Sequence, residues 1–338
     1  MTSAPLRLRL DSDALVANWR MLDRMSGSAA CGAAVKADGY GLGAREVVKR
    51  LSAAGCRDFF VATWAEAEAL ADLKVPVSVL HGARAEDPLD GYYARPVLNT
   101  AAQVQRWKAT GRPCDVMVDT GMNRLGVSPA EVRDGLLDGL VIETLMSHLA
   151  SADEDVPLNA AQRDSFAALS GRTSARRMSL ANSAGVALGA DYAFDLTRPG
   201  IALYGGWQRA GHDGIRQVAT PEAQILQRRR VPKGAIVGYN ATWAAPDDTD
   251  VAILNLGYAD GYLRCFSGKG SAAVDGKRLP LLGRVSMDLT AIDVTGTDLG
   301  EGDWVAMDYA LPETSRVSGL SQYELLTGLG RRFERVWV

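Results

Sequence analysis

The sequence predicts an α/β protein, with an N-terminal (β/α)8 barrel of the TIM type over residues 1–210 and a mainly β domain over residues 211–338. Three observations carry that prediction. From about residue 30 to 205, short apolar runs alternate with stretches of helical period, the pattern of repeated β-α units that build a parallel sheet. Eight such runs precede residue 210, which is the number at which a parallel sheet closes on itself. After Gly206 the helical periods vanish, and apolar runs are separated by Gly, Pro and Asp.

The first element is Leu6–Leu10, which alternates leucine and arginine, followed by a helix over Ser12–Met25. Both precede the β-α repeat, so this strand is expected to pair with the C-terminal domain. The barrel strands are expected at Cys31–Val35, Asp58–Ala62, Val77–Leu80, Arg95–Leu98, Asp115–Val118, Glu143–Met146, Arg177–Leu180 and Phe194–Leu196. Helical stretches at Arg45–Ala54, Ala65–Leu73, Ala101–Thr110 and Asn159–Leu169 fall between most of them. Downstream, Val251–Leu256, Leu289–Val294 and Trp304–Met307 read as strands, and the second half is expected to be all β. Asp275-Gly276, flanked by Ser271–Val274 and Arg278–Leu282, is a hairpin signal, because Asp-Gly accepts the positive φ angles of a type I′ turn.

A chain of 338 residues that is 47% hydrophobic can bury a barrel core and a second domain. Its 37 basic and 40 acidic residues leave a formal charge of −3 with no long block of either sign, which argues against nucleic acid and acidic membranes as partners. No stretch reaches the ~18 apolar residues of a membrane span, and the N-terminus lacks the apolar run of a secretory signal. A soluble, cytoplasmic protein is expected. Cys31, Cys56, Cys114 and Cys265 are scattered, as reduced thiols would be. His81, His148 and His212 show no zinc-clasping spacing, so no metal is expected.

In a parallel barrel, functional groups stand at the C-terminal ends of strands. Ala33-Ala34-Val35 delivers Lys36 there, ahead of the glycine-rich Ala37-Asp38-Gly39-Tyr40-Gly41-Leu42-Gly43. A desolvated lysine has a lowered pKa and condenses with carbonyl cofactors; a solvated loop lysine is the plainer alternative. The Glu143–Met146 strand ends in Ser147-His148, and the Phe194–Leu196 strand in Thr197-Arg198-Pro199-Gly200-Ile201. A lone histidine is usually structural, but its place at a strand end strengthens a functional reading. Gly200 exposes backbone N–H groups suited to a phosphate, although a tight turn accounts for Pro-Gly equally well.

Ala34-Val35-Lys36-Ala37-Asp38-Gly39-Tyr40-Gly41-Leu42-Gly43 closely resembles the pyridoxal-phosphate attachment motif of alanine racemases. The resemblance continues through Val118–Gly126 (the family's substrate-arginine loop), Ser147–Asp153, Arg198–Gly205, Val237–Trp243 (its catalytic-tyrosine motif), Gly257–Arg264 and Gly283–Asp288. It covers essentially the whole chain in order. It implies pyridoxal 5′-phosphate as cofactor, a small amino acid as substrate, and a homodimer whose active sites are shared between subunits.

By the same resemblance, Lys36 holds the cofactor and serves one face of the substrate, while Tyr239, from the partner subunit, serves the other. Ser183, Gly200, Ile201, Tyr40 and Tyr323 hold the cofactor phosphate, and His148 and Arg198 link the tyrosine to the pyridine nitrogen. Arg124 and the backbone N–H of Met287 receive the substrate carboxylate. Tyr258, Tyr262 and Arg264 fall on the entrance corridor, with packing an alternative for the aromatics.

Three departures stand out. Met117 occupies a position where many members carry a carbamate-modified lysine that braces the arginine, so Arg124 is expected to be oriented by a neutral group such as Asn123 or by an anion. Met146 replaces an aromatic residue, and the chain is shorter than usual. Racemisation of serine or of a broader range of amino acids is the alternative within this reading. A non-catalytic vitamin-B6-handling protein lacks the β domain, and a basic-amino-acid decarboxylase of the same architecture has a reactive cysteine where this chain has Ser286-Met287-Asp288.

Overall fold

The computed structural model describes residues 4–87, 94–211 and 214–338, so His212 lies outside the described residues. The chain forms two compact units, Asp13–Arg216, and Gln217–Val338 joined by the N-terminal strand Leu6–Leu10.

In the first unit, seven strands form one parallel sheet in chain order: Ala33–Ala34, Phe59–Val61, Val77–Val79, Ala94–Leu98, Pro113–Met117, Val141–Met146 and Arg177–Ser179. The eighth, Leu196–Thr197, pairs in parallel with Ala30–Cys31. Backbone bonds from Asp195 and Arg198 to the carbonyls of Met178 (3.0 Å) and Ala181 (2.8 Å) tie it to the seventh strand. The expected α/β barrel is therefore present, with one irregularity. Its first strand is broken at Gly32, where a Cβ would lie 2.9 Å from both the Asp58 carbonyl oxygen and the Phe60 ring. Glycine is needed there because the neighbouring strand crosses too closely for any side chain.

The barrel interior carries a polar layer as well as an apolar one. Asp115, wholly buried, accepts a 2.6 Å bond from Ser78 and lies 3.4 Å from the Arg95 guanidinium, and burial raises its pKa. Arg177 grips Asp58 with two bonds of 3.0 and 2.7 Å. Paired in this way, the charges tolerate the low dielectric that an isolated one would not.

The second unit is an eight-stranded sheet. Leu6–Leu10 runs antiparallel to Ala219–Val231 and parallel to Glu334–Trp337. The hairpin forms between Ser271–Val274 and Lys277–Leu282, with Asp275 at φ 49° and Gly276 at φ 78°.

One strand leaves no sequence signal, and one expectation needs correction. The 13-residue strand Ala219–Val231 escapes a period-2 reading, because a register shift at Ile225/Gln227 and the run Gln227–Arg230 interrupt the alternation. The half is also not all β: helices occupy Leu311–Ser318 and Gln322–Thr327. Each is too short to show a helical period, and only local signals mark them. Pro312 lies in the first turn of one, and a reciprocal Ser321/Glu324 capping box starts the other.

Candidate active site

Lys36 follows a strand end fixed by Val35, whose N–H donates to the Phe60 carbonyl at 2.8 Å. The chain then makes a left-handed turn, with Ala37, Asp38, Gly39 and Tyr40 at φ 53°, 53°, 63° and 58°. Such a turn costs roughly 1–2 kcal/mol at each non-glycine residue, so the surroundings must hold it. Glu66 accepts from the Ala37 N–H at 2.6 Å with one oxygen and from Ala62 and Thr63 N–H at 2.6 and 3.1 Å with the other. Asp38 accepts from the Ala44 N–H at 2.8 Å. The turn prevents the strand from running on into a right-handed helix and leaves Lys36 at the barrel mouth. There, burial first and the Arg124 charge second lower its pKa, with Glu66 opposing them. A lowered lysine pKa favours the neutral, nucleophilic amine.

Next to it, three groups make a cradle. A Cβ built on Gly200 would lie 2.1 Å from the Tyr40 hydroxyl oxygen and 2.9 Å from its Cζ, so only glycine fits under that ring. The Gly200 and Ala202 N–H groups both donate to the Ser183 hydroxyl oxygen, at 2.9 and 3.2 Å, which leaves that hydroxyl proton available to donate. Tyr40 is buried and packs on Tyr204 at 4.7 Å, and Tyr204 donates to the Ala34 carbonyl at 2.9 Å. Neutral donors brought this close together by the absence of a side chain at Gly200 suit the phosphate of a cofactor.

Arg198 is almost completely buried. It donates to the Ser147 carbonyl at 2.6 Å and to the Ser179 hydroxyl, and its Nε has no partner among the described residues. Burial lowers its pKa to about 10, with Asp115 opposing, so it stays protonated at neutral pH and retains a donor for an acceptor in the mouth. His148 beside it is held neutral: burial, then the charges of Arg198, Arg124 and Lys36, lower its pKa to about 3.

Arg124 is exposed, and its guanidinium makes no bond among the described residues. The Asn123 side chain makes no bond to it among the described residues, and the Asn123 backbone takes a positive φ of 55°. Order comes from Asp119 instead. One of its oxygens accepts from the N–H groups of Gly121, Met122 and Asn123 at 2.9, 2.9 and 3.0 Å, and the other from that of Arg124 at 3.0 Å. These bonds also lower the Asp119 pKa against its desolvation. Met117, buried beneath, offers no polar atom.

The remaining expected residues belong to the second unit. Tyr239 is 66% exposed and Met287 54% exposed. The Met287 loop is fixed by its backbone, with Ser286 and Met287 carbonyls accepting from Tyr258 and Ala259 N–H, both at 3.0 Å. Arg332 clamps that loop from outside, donating to Asp260 at 2.6 Å and to Asp288 at 2.7 Å. Tyr323 is partly exposed on the helix Gln322–Thr327. Tyr262, by contrast, is core: it is buried and stacked on Phe266 at 4.4 Å.

Both halves of the chain match a known family, with residues 10–208 matching the alanine racemase N-terminal domain and residues 218–337 the C-terminal domain. The chain belongs to the alanine racemase family. A relative in Jannaschia sp. strain CCS1 named alanine racemase is 42% identical over 97% of each chain. Another of that name in Methylobacterium sp. strain 4-46 is 40% identical over 98% of this chain and 97% of its own. The crystal structure of the alanine racemase of Bartonella henselae, with covalently bound pyridoxal phosphate, superposes with a TM-score of 0.90 at 33% identity, covering 99% of this chain and all of that one. No helix among the described residues is long and apolar enough to cross a membrane.

Three residues that contact the expected site residues or their loops were not singled out in the sequence: Glu66, Ser179 and Gln162. Only Glu66 left a readable signal, as the last residue of the capping box Thr63-Trp64-Ala65-Glu66.

Proposed function

We propose that the protein is a pyridoxal-phosphate-dependent racemase that interconverts L- and D-alanine by exchanging the α-proton between two bases. The observation that carries this reading is the placing, at one end of one barrel, of a lysine of lowered pKa, a buried arginine with a free donor, and the Tyr40–Gly200–Ser183 cradle. These residues fit the cofactor. Lys36 would carry it through its amine, the Ser183 and Tyr40 hydroxyls with the Gly200 and Ile201 backbone would hold the phosphate together with Tyr323, and Arg198 would donate to the pyridine nitrogen. Pyridoxal phosphate supplies, when bound, an electron sink for the charge left at the α-carbon as its proton departs.

The protein supplies position and proton movement. The Lys36 amine takes or returns a proton on one face of the α-carbon, a role that its lowered pKa favours. The Tyr239 hydroxyl does the same on the other face, delivered by a second copy of the chain, so the working unit is a homodimer. Arg124 receives the substrate carboxylate in a planar fork, with the Met287 N–H beside it. Arg198, cationic and without an acceptor, would donate to the pyridine nitrogen and offer it no proton to accept in full, so that simple proton exchange would be favoured over reactions that need a stronger electron sink.

The test is direct. Purified protein with added pyridoxal phosphate is incubated with L-alanine and the products are resolved on a chiral column. D-alanine, accumulating to near equality with L-alanine, is the expected result; an unchanged L-alanine pool, or a different product such as pyruvate, overturns the reading.

A further inference from the structure

Gln162 lies in the helix Pro157–Ala167, outside every motif read in the sequence, and is wholly buried. Its hydrogen-bonding capacity is directed at two loops. The amide nitrogen donates to the His148 carbonyl at 3.0 Å and to the Thr120 hydroxyl at 3.4 Å, and the amide oxygen accepts from the Ala150 N–H at 2.9 Å. Thr120 in turn bonds the Ser147 hydroxyl at 2.7 Å. The Gln162 stem also packs beneath the arginine loop, where a Cβ on Gly121 would come within 3.6 Å of Gln162 Cγ.

A buried amide costs desolvation free energy that an apolar side chain of the same volume would avoid. What it gains here is a fixed relation between the loop of Asp119–Arg124 and the loop of Ser147–Ala150. The need for such a tie follows from the surroundings of Arg124. Met117 provides no polar contact to Arg124, and the guanidinium makes none among the described residues, so the position of Arg124 rests on its backbone. Asp119 fixes that backbone within the loop, and Thr120, one residue on, is where the loop is anchored to the rest of the barrel mouth.

We infer that Gln162 and Thr120 are positioning residues, which set Arg124 for its carboxylate ligand by locking the arginine loop to the histidine loop. The inference rests on the racemase reading for the identity of that ligand, and the experiment separates the two. Four proteins are compared: wild type, Gln162→Leu, Thr120→Val and Thr120→Ser. For each, KM and kcat for L-alanine are measured, along with amide hydrogen exchange of the protein without substrate.

Gln162→Leu and Thr120→Val are expected to raise KM about ten-fold with little change in kcat. They should also speed exchange within residues 119–127 and, for Gln162→Leu, within 147–151, while the rest of the barrel exchanges as before. Thr120→Ser, which keeps the hydroxyl, should restore both values. Unchanged KM and exchange in the two disruptive variants would overturn the inference, as would faster exchange spread evenly through the barrel, which marks a purely structural role. If wild type does not racemise alanine the functional reading falls, while the exchange data still decide whether the two loops are locked through Gln162.

Discussion

The Arg198 guanidinium and the Ser147 carbonyl oxygen are joined by a 2.6 Å hydrogen bond deep in the barrel mouth, one residue before His148. The bond fixes a permanent cation beside an imidazole that burial already holds neutral, and the cation adds to that effect. Burial, Arg198, Arg124 and Lys36, in that order, bring the His148 pKa from 6.5 to about 3. The folded state thus binds a proton less readily than the unfolded chain. Stability from the neutral His148 is complete above pH 6.5 and is lost as pH falls from there toward about 3. Arg124→Gln should raise the His148 pKa without loss of fold, because the exposed guanidinium bonds nothing. Arg198→Gln should raise it further and cost about 1–3 kcal/mol of stability through the unpaired Ser147 carbonyl, while the Ser179 hydroxyl keeps its bond to the Leu196 carbonyl. Imidazole carbon NMR titration reads this directly, since the chain has only 3 histidines. An unmoved His148 titration in both variants would refute the electrostatic account.

Gly200→Ala tests the cradle. The new methyl would need to occupy space 2.1 Å from the Tyr40 hydroxyl oxygen, and Tyr40 cannot swing freely because it is buried against Tyr204. The strain is expected to cost about 1–3 kcal/mol of stability and to weaken pyridoxal phosphate binding by about ten-fold or more. Titration of the apoprotein followed by cofactor absorbance, alongside a thermal melt, gives both numbers. Binding as tight as wild type would show that the gap under Tyr40 has no part in holding the cofactor.

What the sequence revealed follows a physical division. Repeated β-α periods exposed the barrel, because parallel strands buried on both faces are written as continuous apolar runs. Strand ends exposed Lys36, His148 and Arg198, because the barrel makes position along a strand equivalent to position in the mouth. Gln162 was hidden for the converse reason: it acts through the backbone of His148 and Ala150, and no local pattern records where those groups will lie after folding; the capping box marked Glu66 but not its reach to the Ala37 N–H. The left-handed turn after Lys36 was equally silent, since Ala37 and Asp38 have no intrinsic preference for positive φ and are held there by Glu66 and Ala44.

Tyr239→Phe separates chemistry from folding. The ring is 66% exposed, so removing its hydroxyl is expected to shift stability by no more than about 0.5 kcal/mol. A lost acid/base group should lower racemisation by about 10²–10⁴-fold in both directions. Cofactor binding should persist, because Tyr239 is assigned to the substrate's α-carbon and not to the phosphate. Chiral assays started from each enantiomer, with a melt and an absorbance spectrum, check all of these at once. Wild-type turnover in this variant would remove Tyr239 from the mechanism.

The exposed apolar residues of the second unit bear on the dimer. Ile236 (59% exposed) stands on the same loop as Tyr239, while Met287 and Leu289 lie on the neighbouring one. The two loops touch closely, since a Cβ on Gly283 would come within 2.5 Å of the Val237 carbonyl oxygen. Apolar side chains held out by rigid backbone are explained by a protein surface that covers them. If that surface is a second copy of the chain, then Ile236→Asp should shift sedimentation from dimer toward monomer, because a carboxylate would have to be buried without a partner. Racemase activity should fall with it and recover as protein concentration is raised, since mass action restores the pair. Activity that scales linearly with concentration in a protein sedimenting as a monomer would mean that one chain completes its own site, and the assignment of Tyr239 to a partner subunit would have to be withdrawn.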